Sequence, residues 1–135
     1  MIARPGRWVI CGPPASGKST YVRARARPGD LVWDLDAVAS LVGYGGAVLP
    51  RGRRLPWPVA KAALVMRDAL VEWLAVTDTI GDARVFVIIS DMTAARECAH
   101  QIGGQVVAMP GRDEPPAAGT SWRWRDAARH EGAVT

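Results

Sequence analysis

Gly12-Pro13-Pro14-Ala15-Ser16-Gly17-Lys18-Ser19 decides how this chain is read, because it satisfies G-x-x-x-x-G-K-[ST] at every fixed position. Before it, Trp8-Val9-Ile10-Cys11 is a short apolar run suited to a buried parallel strand. After it, Thr20 to Arg27 continues as a helix, so the expected context is strand, loop, helix. Gly12 and Gly17 let the backbone curl so that successive N–H groups point inward at an anion, and the start of the helix adds its positive end. The candidate phosphate-binding residues are Gly12, Pro13, Pro14, Ala15, Ser16, Gly17, Lys18, Ser19 and Thr20. Lys18 is expected to reach β- and γ-phosphate oxygens, and the Ser19 hydroxyl to sit on Mg²⁺. The competing reading is a plain Gly/Pro-rich turn ahead of a helix. Residue usage argues against it: the chain has two lysines, Lys18 and Lys61, against fifteen arginines. Lysine is thus kept where a compact ammonium fits between phosphates and a guanidinium fork does not.

Length and composition narrow the rest. A chain of 135 residues is expected to form one domain with a real core. Its 49% hydrophobic and 22% charged residues are ordinary for a globular protein and exclude a disordered or fibrous class. A net charge of +4 permits a polyanionic partner without demanding one. Cys11 and Cys98 read as small apolar fillers in a reducing compartment, and with His100 and His130 scattered no zinc site is expected. The stretch Met1 to Arg7 holds two arginines and a Pro-Gly turn, with no apolar segment of the signal-peptide kind. No run approaches the length needed to span a bilayer, so the expected location is cytoplasmic, with no membrane partner.

Downstream, Pro28-Gly29-Asp30 marks a turn and Leu31-Val32-Trp33 a second strand ending in Asp34-Leu35-Asp36. In open α/β sheets ligands bind outside the carboxyl ends of the strands, which is where these carboxylates are delivered. If the strand continues, its alternation sends them to opposite sides; alternatively Asp36 caps a short helix over Ala37 to Val42. The Gly/Pro-rich loop from Gly43 to Pro58 carries Arg51, Arg53, Arg54 and Trp57, which suits either a nucleic-acid backbone or plain solvation. From Val59 to Val76 the spacing of Ala63, Met66, Leu70, Trp73 and Leu74 predicts a helix with Lys61, Asp68 and Glu72 on its outer face. Val85-Phe86-Val87-Ile88-Ile89 is an apolar, β-branched strand closing on Ser90-Asp91, the pattern in which a carboxylate reaches the Mg²⁺ shell. Thr93 to Ile102 reads as a helix stopped by Gly103-Gly104, and Gln105 to Met109 as a fourth strand. Residues 111–119 read as a connector, and Ser121 to Glu131, with Trp122 and Trp124, as a short helix.

Gly12 to Thr20, Asp34-Leu35-Asp36, and Val87-Ile88-Ile89-Ser90-Asp91 followed by Ala94-Ala95-Arg96-Glu97 together resemble the P-loop kinase group. In particular they resemble the kinase domain of phage-type polynucleotide 5′-kinases and small phage-encoded AAA-type ATP-binding proteins. Order and spacing agree over about residues 7 to 110. The first motif is common to the whole superfamily, and the Ile-Ile-Ser-Asp run with an arginine on the next helix points to the kinases. The resemblance implies Asp36 as the general base and Asp91 as a holder of the acceptor or of the metal's waters. Lys18 and Ser19 would grip the donor phosphates, with Ser19, Asp34 and Asp91 as candidate Mg²⁺ ligands. Kinases of this group continue into an arginine-bearing lid and a fifth strand, for which this chain has only part of the length. Arg123 or Arg125 is the candidate lid arginine and Arg96 a further one.

The expected architecture is therefore a three-layer α/β P-loop NTPase with a mostly parallel sheet of four or five strands and the loop-bearing strand near the centre. Residues 1–110 form the core, and 111–135 a connector and short C-terminal helix or partial lid within the same domain. The expected activity is Mg²⁺-dependent transfer of the ATP γ-phosphoryl group to a hydroxyl on a polynucleotide 5′ end, a nucleotide or another small molecule. Adenine is favoured because the chain contains no asparagine, so the Asn-Lys-x-Asp guanine-reading motif is absent. The rivals are an ATPase that drives a conformational change, often as an oligomer completed by a neighbour's arginine, and a non-catalytic nucleotide-binding interaction protein. Oligomeric state stays open.

Overall fold

The computed structural model describes residues 3–14, 16–49 and 54–110. In chain order these form β1 (Arg7–Cys11), α1 (Lys18–Arg25), β2 (Leu31–Trp33), α2 (Leu35–Gly43), α3 (Trp57–Ala75), β3 (Val85–Ile89), α4 (Met92–Ile102) and β4 (Gln105–Ala108). The protein is α/β. Its four strands pair in the order β2-β3-β1-β4, and every pairing is parallel. Cys11 lies opposite both Ile89 and Ala108, and Trp33 opposite Val87, so β1, β3 and β4 end nearly level. The strand that feeds the Gly12–Ser19 loop is interior, as the sequence predicts, and a fifth strand is not among the described residues. The connector, the short helix over Ser121 to Glu131, and both Arg123 and Arg125 lie outside the described residues.

Strand alternation divides the core in two. Val9, Cys11, Val85, Val87, Ile89 and Trp33 face α3 and α4, where Ala63, Val71, Leu74, Cys98 and Ile102 meet them. Ile10, Phe86 and Ile88 face the other way, against Tyr21 and Val22 of α1 and Met109. β3 is buried at all five positions, which explains why its sequence is apolar without alternation. Because α1 leaves β1 for one face and α4 leaves β3 for the other, the carboxyl ends of these neighbouring strands open a crevice between diverging connections.

Two local expectations change. β2 stops at Trp33 and α2 starts at Leu35, two residues before the predicted Ala37. The residue that caps this helix is Asp34, in extended conformation, whose side chain accepts from the Asp36 backbone N–H; Asp36 sits in the first turn instead. On α3 the buried stripe is Ala63, Val71 and Leu74, whereas Met66 and Trp73, expected inside, are each 49% exposed. The helix is apolar nearly all round, so its periodicity marks a helix without marking which side faces in. Gly43 lets α2 pack on α3, since a Cβ there would fall 2.5 Å from Val59 Cγ2.

The amino end of the sheet is closed by two arginines. Arg7, 2% exposed, donates through Nη1 to Leu74 O at 2.7 Å and Ile102 O at 2.9 Å, and through Nη2 to Thr77 O at 2.6 Å. Arg4 donates through Nη1 to Leu74 O and Ala75 O and pairs with Asp78 at 3.0 Å. These carbonyls terminate α3 and α4, where a cation is favoured by the negative end of each helix. Among the described residues no helix is long and apolar enough to cross a membrane.

Candidate functional site

At the carboxyl ends of β1, β2 and β3 lies a cavity of about 610 Å³. One wall is the Gly12–Ser19 loop and the start of α1, contributing Ser16, Gly17, Lys18, Ser19 and Thr20. A second is the end of β2 and start of α2, with Trp33, Asp34, Leu35 and Asp36. The third is the end of β3 and start of α4, with Ser90, Asp91 and Ala94, and α3 adds Leu64 and Arg67. Carboxylates and cations far apart in sequence thus meet at one mouth because parallel strands deliver their ends side by side.

The loop's backbone explains its glycines. Gly17 takes φ +85°, a left-handed conformation that side chains disfavour, and occupies the N-cap of α1 with no side chain capping the helix. A Cβ on buried Gly12 would sit 2.7 Å from Met109 O, so the end of β4 roofs the loop closely. Ser16 lines the cavity, and its buried Oγ has no hydrogen-bond partner among the described residues. Lys18 turns its ammonium back on the loop, donating to Gly12 O at 2.7 Å and Pro13 O at 2.8 Å. Burial holds its pKa below the ordinary lysine value, and Asp34 and Asp36 are among the groups that pull it back up.

Ser19 Oγ donates to Asp34 Oδ2 at 3.0 Å, so the hydroxyl and one carboxylate share a site while Asp34 Oδ1 caps α2. Asp91 caps α4, accepting from Ala94 N at 2.8 Å, and remains exposed to the cavity. Asp36 projects from the first turn of α2, exposed at the same mouth. The predicted Lys18, Ser19, Asp34, Asp36 and Asp91 therefore come together. Gly12 packs against Met109 and is not among the cavity's described lining residues, and Ala15 lies outside the described residues, as do Arg51 and Arg53 of the basic loop. Arg96 is exposed on α4 and is not among the cavity's described lining residues.

Two oxygen-bearing features test whether a triphosphate and its metal fit. The uncapped start of α1 beside the orphaned Ser16 hydroxyl suits phosphate oxygens. Ser19 with Asp34 and Asp91 offers hard oxygen ligands, which suit Mg²⁺, an ion usually held by one or two carboxylates plus substrate phosphates and waters. Among the described residues no cluster of three or more His, Cys, Asp or Glu side chains is arranged to hold a metal without such help. Cys11 and Cys98 are free and buried, and burial raises both thiols, Cys98 to about 11, as suits small apolar fillers rather than thiolate nucleophiles.

Sequence reasoning missed Arg67. Its guanidinium carbon lies 5.6 Å from the centre of the Trp33 ring, and the residue lines the cavity from α3. One signal was available: Ala63, Arg67 and Val71 recur every four residues, so the arginine interrupts the buried stripe. Comparison of the chain with protein-family models, curated proteins and solved structures finds no match.

Proposed function

We propose that this protein is a P-loop phosphotransferase that binds ATP with Mg²⁺ and moves its γ-phosphoryl group to a hydroxyl acceptor. The observation that carries the reading is the Gly12–Ser19 loop itself: a motif complete at every fixed position, with a left-handed Gly17 opening an uncapped helix onto a cavity that also holds three carboxylates. The resemblance to phage-type polynucleotide kinase domains and phage-encoded AAA-type proteins is part of the same proposal.

In this reading the loop amides and Ser16 cradle the phosphates. Lys18 gives up its contacts with Gly12 O and Pro13 O to reach the β/γ oxygens, a short swing because the ammonium already sits on the loop. Ser19, Asp34 and Asp91 would hold Mg²⁺, which supplies charge neutralisation for the phosphates. Asp36 accepts the hydroxyl proton as the acceptor oxygen bonds to the γ-phosphorus. The bond from that phosphorus to the β-bridging oxygen breaks, and ADP leaves with the electron pair. The catalytic assignment is thus Lys18, Asp36 and Asp91, while Arg123 and Arg125 remain candidates for a lid arginine.

The test is incubation with γ-labelled ATP, Mg²⁺ and a panel of 5′-hydroxyl oligonucleotides, nucleosides and water. Label on an acceptor is the expected result; label found only as free phosphate makes the protein an ATPase. In parallel, Lys18→Ala is expected to abolish ATP binding or turnover, and unchanged affinity with unchanged activity would remove the loop from the mechanism.

A further inference from the structure

The outer side of α3 carries an apolar line that nothing among the described residues covers, and we propose that a second copy of this chain docks there, the two α3 helices running antiparallel about a two-fold axis. The line is Ala62, Met66, Ala69, Trp73 and the C-cap Val76, spaced 4, 3, 4 and 3 residues apart. That is the spacing by which one helix seats its seam against another. The inference goes beyond the phosphotransferase reading above and does not depend on it.

The first ground is exposure. α3 meets the sheet and α4 through Ala63, Val71 and Leu74, and α2 through Val59, which turns the remaining side outward. There Met66 and Trp73 stand about half open, Val65 beside them is 52% exposed and Val76 80%. Single apolar residues are ordinary on a surface, but a continuous row of them along one helix marks a contact face. Leu64 and Arg67, which line the cavity, point away from this row by the turn of the helix, so pairing here leaves the cavity open.

The second ground selects the occupant: the row is complementary to its own reverse. Turned end for end about a point between Met66 and Ala69, it sets Met66 against the partner's Ala69 and Trp73 against the partner's Ala62, so each large side chain meets a small one, twice over by symmetry. A parallel pairing sets Met66 on Met66 and Trp73 on Trp73 and packs the seam unevenly. Charge selects the same arrangement. Lys61 and Glu72, about three turns apart, lie within about 20° of each other around the helix, on one flank of the row. Reversal brings Lys61 near the partner's Glu72 at both ends of the contact, whereas parallel helices set like charges together. Asp68 turns from the seam: it pairs with Arg67 at 3.6 Å and lines a hollow with Gln101 of α4. A self-complementary contact of this kind closes as a dimer.

Sedimentation equilibrium of the full chain, without nucleotide, measures its mass in solution. The wild-type protein is expected to be a dimer with a Kd of about 10 µM, a weak association suited to one helix from each partner. Ala69→Glu places a charge beside the axis at an exposed, helix-compatible position; it should leave the helical circular dichroism intact and weaken association about a hundredfold. Lys61→Glu, which sets like charges together across the contact, should weaken it about tenfold, and adding Glu72→Lys should restore it, because the pair is then reversed rather than lost. Should Ala69→Glu melt early, the Lys61 and Glu72 series carries the test on a folded protein. A monomer at about 100 µM, tenfold above the expected constant, overturns the inference and leaves the row to another occupant, either residues 111–135 of the same chain or a helix of another protein. A dimer that folded Ala69→Glu does not weaken overturns it as well, since the contact then lies elsewhere. So does a charge series without effect, or a loss that Glu72→Lys fails to recover, since either excludes the antiparallel pairing.

Discussion

At the amino ends of the strands, Arg7 and Arg4 spread their guanidinium groups over the carbonyls that finish α3 and α4, so the negative helix ends are neutralised from within the fold. At the carboxyl ends the treatment is uneven. Asp34 caps α2 and Asp91 caps α4, yet α1 starts at a glycine with no capping side chain and no acidic residue in its first turn. One end of the sheet is electrostatically complete. The other keeps a positive helix start, a lysine bonded only to its own loop and an arginine with no carbonyl partner among the described residues. A protein gains nothing in stability from leaving those donors waiting, which is why the open end reads as the place for an anionic ligand.

If this contrast is right, substitutions at the amino end should damage stability and spare ligand binding. Arg7→Leu is expected to have the largest effect, about 3 kcal/mol or more by urea denaturation, because it removes charge-assisted hydrogen bonds to Leu74 O, Ile102 O and Thr77 O, of which Leu74 O alone keeps Arg4 as a donor. ATP affinity of the fraction still folded should be unchanged; a loss of affinity matching the loss of stability would erase the distinction between the ends.

The reverse pattern is expected for Asp36→Asn. Phosphoryl transfer should fall by about 10² or more, the scale of general-base catalysis, with ATP affinity nearly intact. Since Asp34 rather than Asp36 caps α2, the melting temperature should hardly move. Unfolding of this variant would return Asp36 to a structural role.

Asp30 sharpens the amino-end case through pH. Its burial alone would raise its pKa, but the backbone N–H groups of Arg27 and Arg84 and the Arg84 guanidinium, 3.2 Å away, outweigh that and hold it below the ordinary carboxylate value of 3.8. The contribution to stability is therefore full above pH 3.8 and is lost as pH falls through the depressed folded value. Asp30→Asn should cost about 2 kcal/mol at pH 7, the scale of hydrogen bonds to a charged group, and progressively less below pH 4. An equal cost at both pH values would contradict the assignment.

The smallest effect is expected at Asp91, which belongs to both descriptions. Loss of its cap in Asp91→Ala should cost about 1 kcal/mol. If it also reaches the metal's waters, the Mg²⁺ concentration for half-maximal turnover should rise; a stability change alone would leave Asp91 as a cap.

Local patterns were legible. The strands Leu31–Trp33 and Val85–Ile89 have the boundaries their apolar runs suggest, and Gly103 stops α4 in left-handed conformation, φ +70°. What local pattern could not resolve was choice between neighbours or faces. Asp34 and Asp36 are both good caps, and which one takes the role depends on where β2 leaves its pairing with β3, a contact 54 residues away in register. The inward face of α3 was ambiguous because Met66, Val71 and Trp73 are all apolar, and only the positions of α4 and the sheet select Val71.

By itself the sequence determined the strand–loop–helix unit around Gly12 and Gly17, the α/β class and the carboxylates at the strand ends, because each follows from interactions between residues close in the chain. Only the tertiary structure decided that β3 lies between β1 and β2, which carboxylates cap and which stay exposed, and that Arg67 opens onto the same cavity as Lys18. Those outcomes depend on packing between segments dozens of residues apart, where burial of one face excludes another and no short-range pattern records the choice.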